Sequence, residues 1–152
     1  MGRLVRKGCI VLAEEPVAMA TKERRMNVLV VETNPTARER VLAALGECYV
    51  VRFVSGASEA LAAVDAQLPD LLVTEVDLED GDGLALCEQV RARPTGARLP
   101  IMLLTSRTGI RDKVAGFQAG ADDYVVKPLD TRLFHARVRL LCRIKGLERR
   151  VS

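Results

Sequence analysis

Four apolar runs in this chain end in residues able to do polar chemistry. Val28 to Val31 is followed by Glu32 and Thr33, Leu71 to Val73 by Thr74 and Glu75, Ile101 to Leu104 by Thr105 and Ser106, and Tyr124 to Val126 by Lys127 and Pro128. Two acids, a hydroxyl and a lysine thus stand at equivalent points of successive units. If those runs neighbour one another, Glu75 and Lys127 come within ion-pair reach, and Thr105 can donate to a carboxylate or phosphate oxygen. No G-x-G-x-x-G loop is present and no nucleophile stands beside a general base, so the chain is not expected to be an enzyme of another kind.

The elements that must position these residues are legible from period. The four runs, with a further one from Val50 to Val54, are short and rich in β-branched side chains, which suits strands buried on both faces of a parallel sheet. Between them lie segments of helical period. Ala57, Ala60, Leu61, Val64 and Leu68 form one stripe, and Ile110, Val114 and Phe117 another; both are expected to pack on the sheet. The first helix should run from Pro35 to Leu45 and stop at Gly46, and a later one from about Leu84 to before Pro94. The last should run from Thr131 to Gly146 with Phe134, Val138 and Leu141 inward. Strict alternation implies right-handed crossovers and an α/β, three-layer, doubly wound parallel sheet, whose binding site lies at the carboxyl ends of the strands.

A chain of 152 residues, 49% hydrophobic and 28% charged, is one domain's worth and can bury a real core. Residues 1–25 read as a loose extension, 26–147 as the domain and 148–152 as a tail, with Met19 and Met26 as alternative starts. Arg3, Arg6 and Lys7 precede the apolar run Cys9 to Ala13, but Glu14 and Glu15 break the pattern of a signal peptide. No run approaches the ~20 apolar residues of a membrane span, so a cytoplasmic protein is expected. Cys9, Cys48, Cys87 and Cys142 form no C-x-x-C pair and His135 stands alone, which points to reduced thiols and no metal site of Cys/His type. Charge is uneven: residues 1–25 carry 6 basic and 3 acidic groups, residues 26–130 carry 10 and 16, and residues 131–152 carry 7 and 1. The body is acidic and its last helix basic.

Five motifs in order resemble the response-regulator receiver family of two-component signalling, over roughly the stretch Met26 to Gly146. Val30-Val31-Glu32-Thr33-Asn34-Pro35 resembles V-V-D-D-x-P, and Pro69-Asp70-Leu71-Leu72-Val73-Thr74-Glu75 resembles P-D-L-V-L-L-D. Asp80-Gly81-Asp82-Gly83-Leu84 keeps the family's spacing to D-G-L. Pro100 to Arg107 resembles P-I-I-M-L-T-A-R, and Ala119 to Leu129 is close to A-G-A-D-D-Y-x-x-K-P-F. The resemblance implies a flavodoxin-like (βα)5 fold with strand order 2-1-3-4-5. It also implies a phosphorylation switch in which paired acids bind Mg²⁺, an aspartate accepts the phosphoryl group, lysine and threonine hold it, and an aromatic residue follows the threonine inward. By position those roles fall on Glu32 and Thr33, on Glu75, on Lys127 and Thr105, and on Tyr124.

Two positions depart from the pattern. Glu75 replaces the acceptor aspartate and carries its carboxylate about 1.5 Å further into the pocket. Thr33 offers a neutral hydroxyl where the family has a carboxylate, and Mg²⁺ demands near-ideal octahedral oxygen ligands. The metal site of Glu32, Glu75 and Asp77 is therefore expected to be degenerate and no cofactor is expected. Asp77 is a poor substitute acceptor, because the spacings from Pro69 and to Gly83 both put Glu75 in register. The domain then reads as a pseudo-receiver acting as a phosphorylation-independent interaction module, with the alternative of a conventional response regulator phosphorylated by a histidine kinase. Whether Glu75 gives an active-like or an inactive-like state stays open. The expected partner is a protein, through the face of helix 4, strand 5 and helix 5, where Arg132, Arg137, Arg139, Arg143 and Lys145 cluster. Pairing of two copies through the last helix stays open. Nucleic acid is not favoured, since no aromatic residues interleave the basic ones.

Overall fold

The computed structural model describes residues 4–6, 9–11 and 25–151, with side chains described over 25–144. Near the start, β1 (Leu4–Arg6) and β2 (Cys9–Val11) pair antiparallel; the loose extension expected over residues 1–25 otherwise lies outside the described residues. The domain proper follows as β3 (Asn27–Val31), α1 (Pro35–Leu45), β4 (Val50–Val54), α2 (Ala57–Ala66) and β5 (Leu71–Thr74). A tight hairpin of β6 (Asp77–Leu78) and β7 (Gly81–Asp82) leads to α3 (Gly83–Ala92), then β8 (Ile101–Thr105), α4 (Ile110–Gln118), β9 (Asp123–Val126) and α5 (Thr131–Val151).

The five-stranded sheet is parallel throughout, in the order β4-β3-β5-β8-β9. This is the doubly wound, flavodoxin-like order 2-1-3-4-5. Because successive side chains point to opposite faces of a strand, the apolar runs divide between two cores. Val28, Val30, Leu71, Val73, Met102 and Leu104 pack against α1 and α5 through Val41, Leu45, Phe134 and Val138. Leu29, Val31, Leu72, Ile101 and Leu103 face the other layer, meeting Val64, Leu86 and Val90 of α2 and α3. Both faces being covered, a strand needs no polar side, which is why these runs do not alternate.

Caps fix where the helices start. Asn34 accepts from Ala37 N at 3.0 Å ahead of Pro35 in α1, and Asp82 accepts from Leu84 N and Ala85 N at the start of α3. Asp80 caps α2 from a distance, accepting from Ala57 N at 2.8 Å and Ser58 N at 3.1 Å. The loop after β5 is thereby tied to two helices.

Four expectations need correction. The stripe Ile110, Val114 and Phe117 is not buried against the sheet; these residues are 77%, 48% and 47% exposed, and Phe117 meets the sheet at its edge, against the Tyr124 ring. Instead α4 turns its small residues inward, and a Cβ on Gly116 would lie 2.7 Å from Leu103 Cδ1 and 3.1 Å from Tyr124 Cδ2. Helical period identifies a stripe but not its direction, and here close approach of helix and sheet leaves room only for the small face. Second, α5 runs past Gly146 to Val151. A helical glycine costs about 1 kcal/mol against alanine, which good helix formers such as Leu147, Glu148, Arg149 and Arg150 can offset. Third, Cys48 is disulfide-bonded, whereas Cys87 and Cys142 are buried thiols outside any disulfide. Fourth, Asp122-Asp123, whose adjacent acids read in sequence as a solvated loop despite their look of a carboxylate pair, is held by specific contacts. Asp122 accepts from Ile101 N at 2.9 Å and pairs with Arg91 at 3.0 Å, and Asp123 pairs with Arg137 at 2.7 Å.

Candidate functional site

Register brings the strand ends together. Val31 lies opposite Thr74, Thr74 opposite Leu103, and Thr105 opposite Val126, so the residues that follow share one rim of the sheet. Glu32, Glu75, Thr105 and Lys127 sit there as the spacing requires.

At the centre, Lys127 Nζ is 2.7 Å from Glu32 Oε1 and 2.7 Å from Glu75 Oε1. The three side chains are 18%, 3% and 12% exposed. Glu32 Oε1 is fully buried and meets the ammonium as an ion pair, with no donor among the described residues aligned on it as a hydrogen bond. Each second oxygen is held by backbone. Asn34 N donates to Glu32 Oε2 at 2.9 Å, and Val76 N and Asp77 N donate to Glu75 Oε2 at 2.7 and 3.1 Å. Burial alone would lower the Lys127 pKa, but the two carboxylates outweigh it and hold the ammonium above its ordinary value. One cation serves two anions in a largely buried pocket.

Thr105 is fully buried, and its Oγ1 accepts from Arg107 N at 3.2 Å. Among the described residues no hydrogen bond joins it to Glu75. Tyr124 is 8% exposed and its hydroxyl donates to the Arg107 carbonyl at 2.9 Å. Burial, and then the nearby Asp112 charge, raise the Tyr124 pKa. Thr33 is exposed on the loop after β3 and Ser106 on the loop after β8. A cleft of about 370 Å³ opens beside Lys127, lined by Asn34, Thr36, Arg40, Ser106 and Leu129 among others.

A divalent cation here would have to share carboxylate oxygens that the protein already uses. All four carboxylate oxygens of Glu32 and Glu75 already have protein partners. Asp77 is engaged elsewhere: Arg107 grips it with Nη2 at 2.7 Å from Oδ1 and Nε at 3.1 Å from Oδ2. The Arg107 guanidinium hydrogen bond holds the Asp77 carboxyl below its usual pKa. Sequence reasoning gave Arg107 no role. A signal was nonetheless present, because Asp77 lies two residues past Glu75, Arg107 two past Thr105, and the strands before them are neighbours.

Comparison with known proteins gives a consistent result. Residues 28–139 match the model of the response regulator receiver domain. The response regulator MprA of Mycobacterium ulcerans (strain Agy99) is 39% identical over 124 residues, covering 81% of this chain and 53% of that protein. The chain thus spans about half the length of the curated relatives it matches. Among solved structures, the signal receiver domain of a signal transduction histidine kinase from Syntrophus aciditrophicus is 31% identical with a TM-score of 0.71, covering 78% of this chain and 90% of that one. The chemotaxis response regulator CheY4 of Vibrio cholerae, 24% identical with a TM-score of 0.72 over 77% of this chain and 98% of that one, shares the fold.

Proposed function

This chain belongs to the response-regulator receiver family of two-component signalling, and from that premise we propose that it signals by binding a protein without being phosphorylated, held in the switched arrangement from within. The observation that carries this is the Lys127 ammonium placed 2.7 Å from both Glu32 and Glu75. The lysine that would meet a transferred phosphoryl group is already matched by carboxylates, and Glu75 Oε2 is turned onto the amides of its own loop. Phosphoryl transfer depends on an in-line nucleophile and a metal that neutralises charge, and this pocket supplies neither readily. The Mg²⁺ site is accordingly read as impaired, with no cofactor. Between the active-like and inactive-like alternatives, the inward Tyr124 supports the active-like one.

The partner surface we assign is the face of α4, β9 and α5. Ile110, Val114 and Phe117 on α4 and Leu133, Leu140 and Ile144 on α5 are exposed there, bordered by exposed Arg132, Arg139 and Arg143. Large exposed apolar residues rimmed by like charge suit a protein carrying an apolar patch edged with acids. A second copy of this chain is the alternative occupant. Arg137 contributes less than its position suggests, because Asp123 neutralises it.

A second reading, a conventional regulator phosphorylated at this rim, is favoured by the likeness to named response regulators. The two separate on one experiment. With fluorotyrosine in place of both tyrosines, the Tyr124 resonance of the wild type is expected not to move on adding Mg²⁺ and fluoroberyllate, a phosphoryl mimic, whereas Glu75→Asp responds. A wild-type response equal to that of Glu75→Asp overturns the proposal.

A further inference from the structure

We propose that the Arg107–Asp77 ion pair is the link that keeps Tyr124 inward, replacing the bond that would otherwise join the acceptor position to Thr105. The meaning of an inward Tyr124 rests on the reading above; the mechanical link does not. Its basis is that a single residue makes both connections. The Arg107 side chain reaches the loop after β5 through two hydrogen bonds to Asp77, at 2.7 and 3.1 Å. The same guanidinium lies 3.5 Å from Asp112 in the first turn of α4. Its backbone carbonyl accepts the Tyr124 hydroxyl at 2.9 Å. Meanwhile Thr105 spends its Oγ1 on Arg107 N and makes no hydrogen bond to Glu75 among the described residues. The loop after β8 is therefore joined to the loop carrying Glu75 by a surface strap.

The chemistry of the strap sets how strongly it can act. A guanidinium and a carboxylate meeting by two parallel hydrogen bonds form the most directional of surface ion pairs. Arg107 and Asp77 are nevertheless 49% and 61% exposed, so water screens them. Packing of Phe117 against Tyr124, with ring centroids 6.5 Å apart, also resists outward rotation. The strap is a bias on the tyrosine, and its loss should raise the outward population by roughly twofold to fivefold.

Nitration of the full chain by tetranitromethane, mapped by peptide mass, reads that population as a rate at Tyr124. Tyr49, 9% exposed and remote from the strap, is the internal reference. Arg107→Met and Asp77→Asn are each expected to raise the Tyr124 rate roughly twofold to fivefold, the double variant no further, and the swap of Arg107→Asp with Asp77→Arg to restore it. In the wild type, raising salt from about 0.1 M to about 1 M shortens the screening length from about 10 to about 3 Å and should move the rate the same way. Unchanged rates in both single variants, effects that add in the double, or a parallel rise at Tyr49 would each overturn the strap. Glu75→Ala measured alongside separates the two ideas: a rise there with none in Arg107→Met overturns the strap alone. A rise in Arg107→Met with none in Glu75→Ala keeps the strap and counts against the Glu75 reading.

Discussion

Replacing Lys127 by methionine keeps most of the side-chain stem and removes a cation that serves the buried Glu32 and the partly buried Glu75 carboxylates. Two oxygens each 2.7 Å from the same nitrogen are at most 5.4 Å apart, twice 2.7. Like charges about 5 Å apart at an effective dielectric of about 20 repel by roughly 3 kcal/mol. Breaking a buried pair by removing one partner costs about 3–5 kcal/mol. Lys127 keeps partial contact with the cleft, and a freed carboxylate can rotate toward it, so the lower figure is the better guide. Lys127→Met should therefore lose about 2–3 kcal/mol at pH 7, a fall in melting temperature of roughly 5–10 °C for a chain of this size. Urea denaturation of wild type and variant at pH 7 measures the loss. One below about 0.5 kcal/mol would refute the view that this lysine neutralises both acids.

Other outcomes follow from the same structure. His135 is buried edge-on to Tyr49 at 6.0 Å with no hydrogen-bond partner for Nε2 among the described residues, and burial, then Arg139, pushes its pKa below the usual value. The unfolded chain binds that proton first, so stability is intact above about pH 6.5 and falls as pH drops below it. His135→Phe should flatten that acid limb in urea titrations at pH 7 and 5; an equally steep limb would contradict the assignment. Gly116→Ala puts a Cβ 2.7 Å from Leu103 Cδ1. Overpacking of about 1–3 kcal/mol against a helix-propensity gain of about 1 predicts a net loss near 1 kcal/mol, and a stabilised variant would be evidence against tight α4 packing. Burial pushes the Cys87 thiol up to about 12. It should resist thiol reagents at pH 8 until the chain unfolds, and rapid labelling of the native protein, mapped by peptide mass, would show otherwise.

The sheet and the central cluster were legible because they rest on short-range signals. β-branched runs of strand length gave the strands, the polar residue after each run gave the rim, and parallel order brought Glu32, Glu75, Thr105 and Lys127 together. What was not legible depends on which way a surface turns or on pairs distant in sequence. Ile110, Val114 and Phe117 have a flawless helical spacing, yet only the fit of Gly116 against Leu103 decides that they face outward. Thr105 carries the right hydroxyl, but its bond goes to Arg107 N, a matter of loop path that spacing does not encode. Asp77 was weighed only as an acceptor or metal ligand and Asp122 only as part of a solvated loop, whereas Arg107 and Arg91 reach them. Arginine is long enough to choose among several acids, so its partner is set by tertiary structure.

Whether this domain dispenses with phosphate is settled most directly by intact mass spectrometry of the full chain after incubation with acetyl phosphate and Mg²⁺, with Glu75→Asp as the positive comparison. The account predicts no covalent phosphate on the wild type, at Glu75 or at Asp77, under conditions in which the aspartate variant is labelled. A stoichiometric, labile phosphate on the wild type would contradict it.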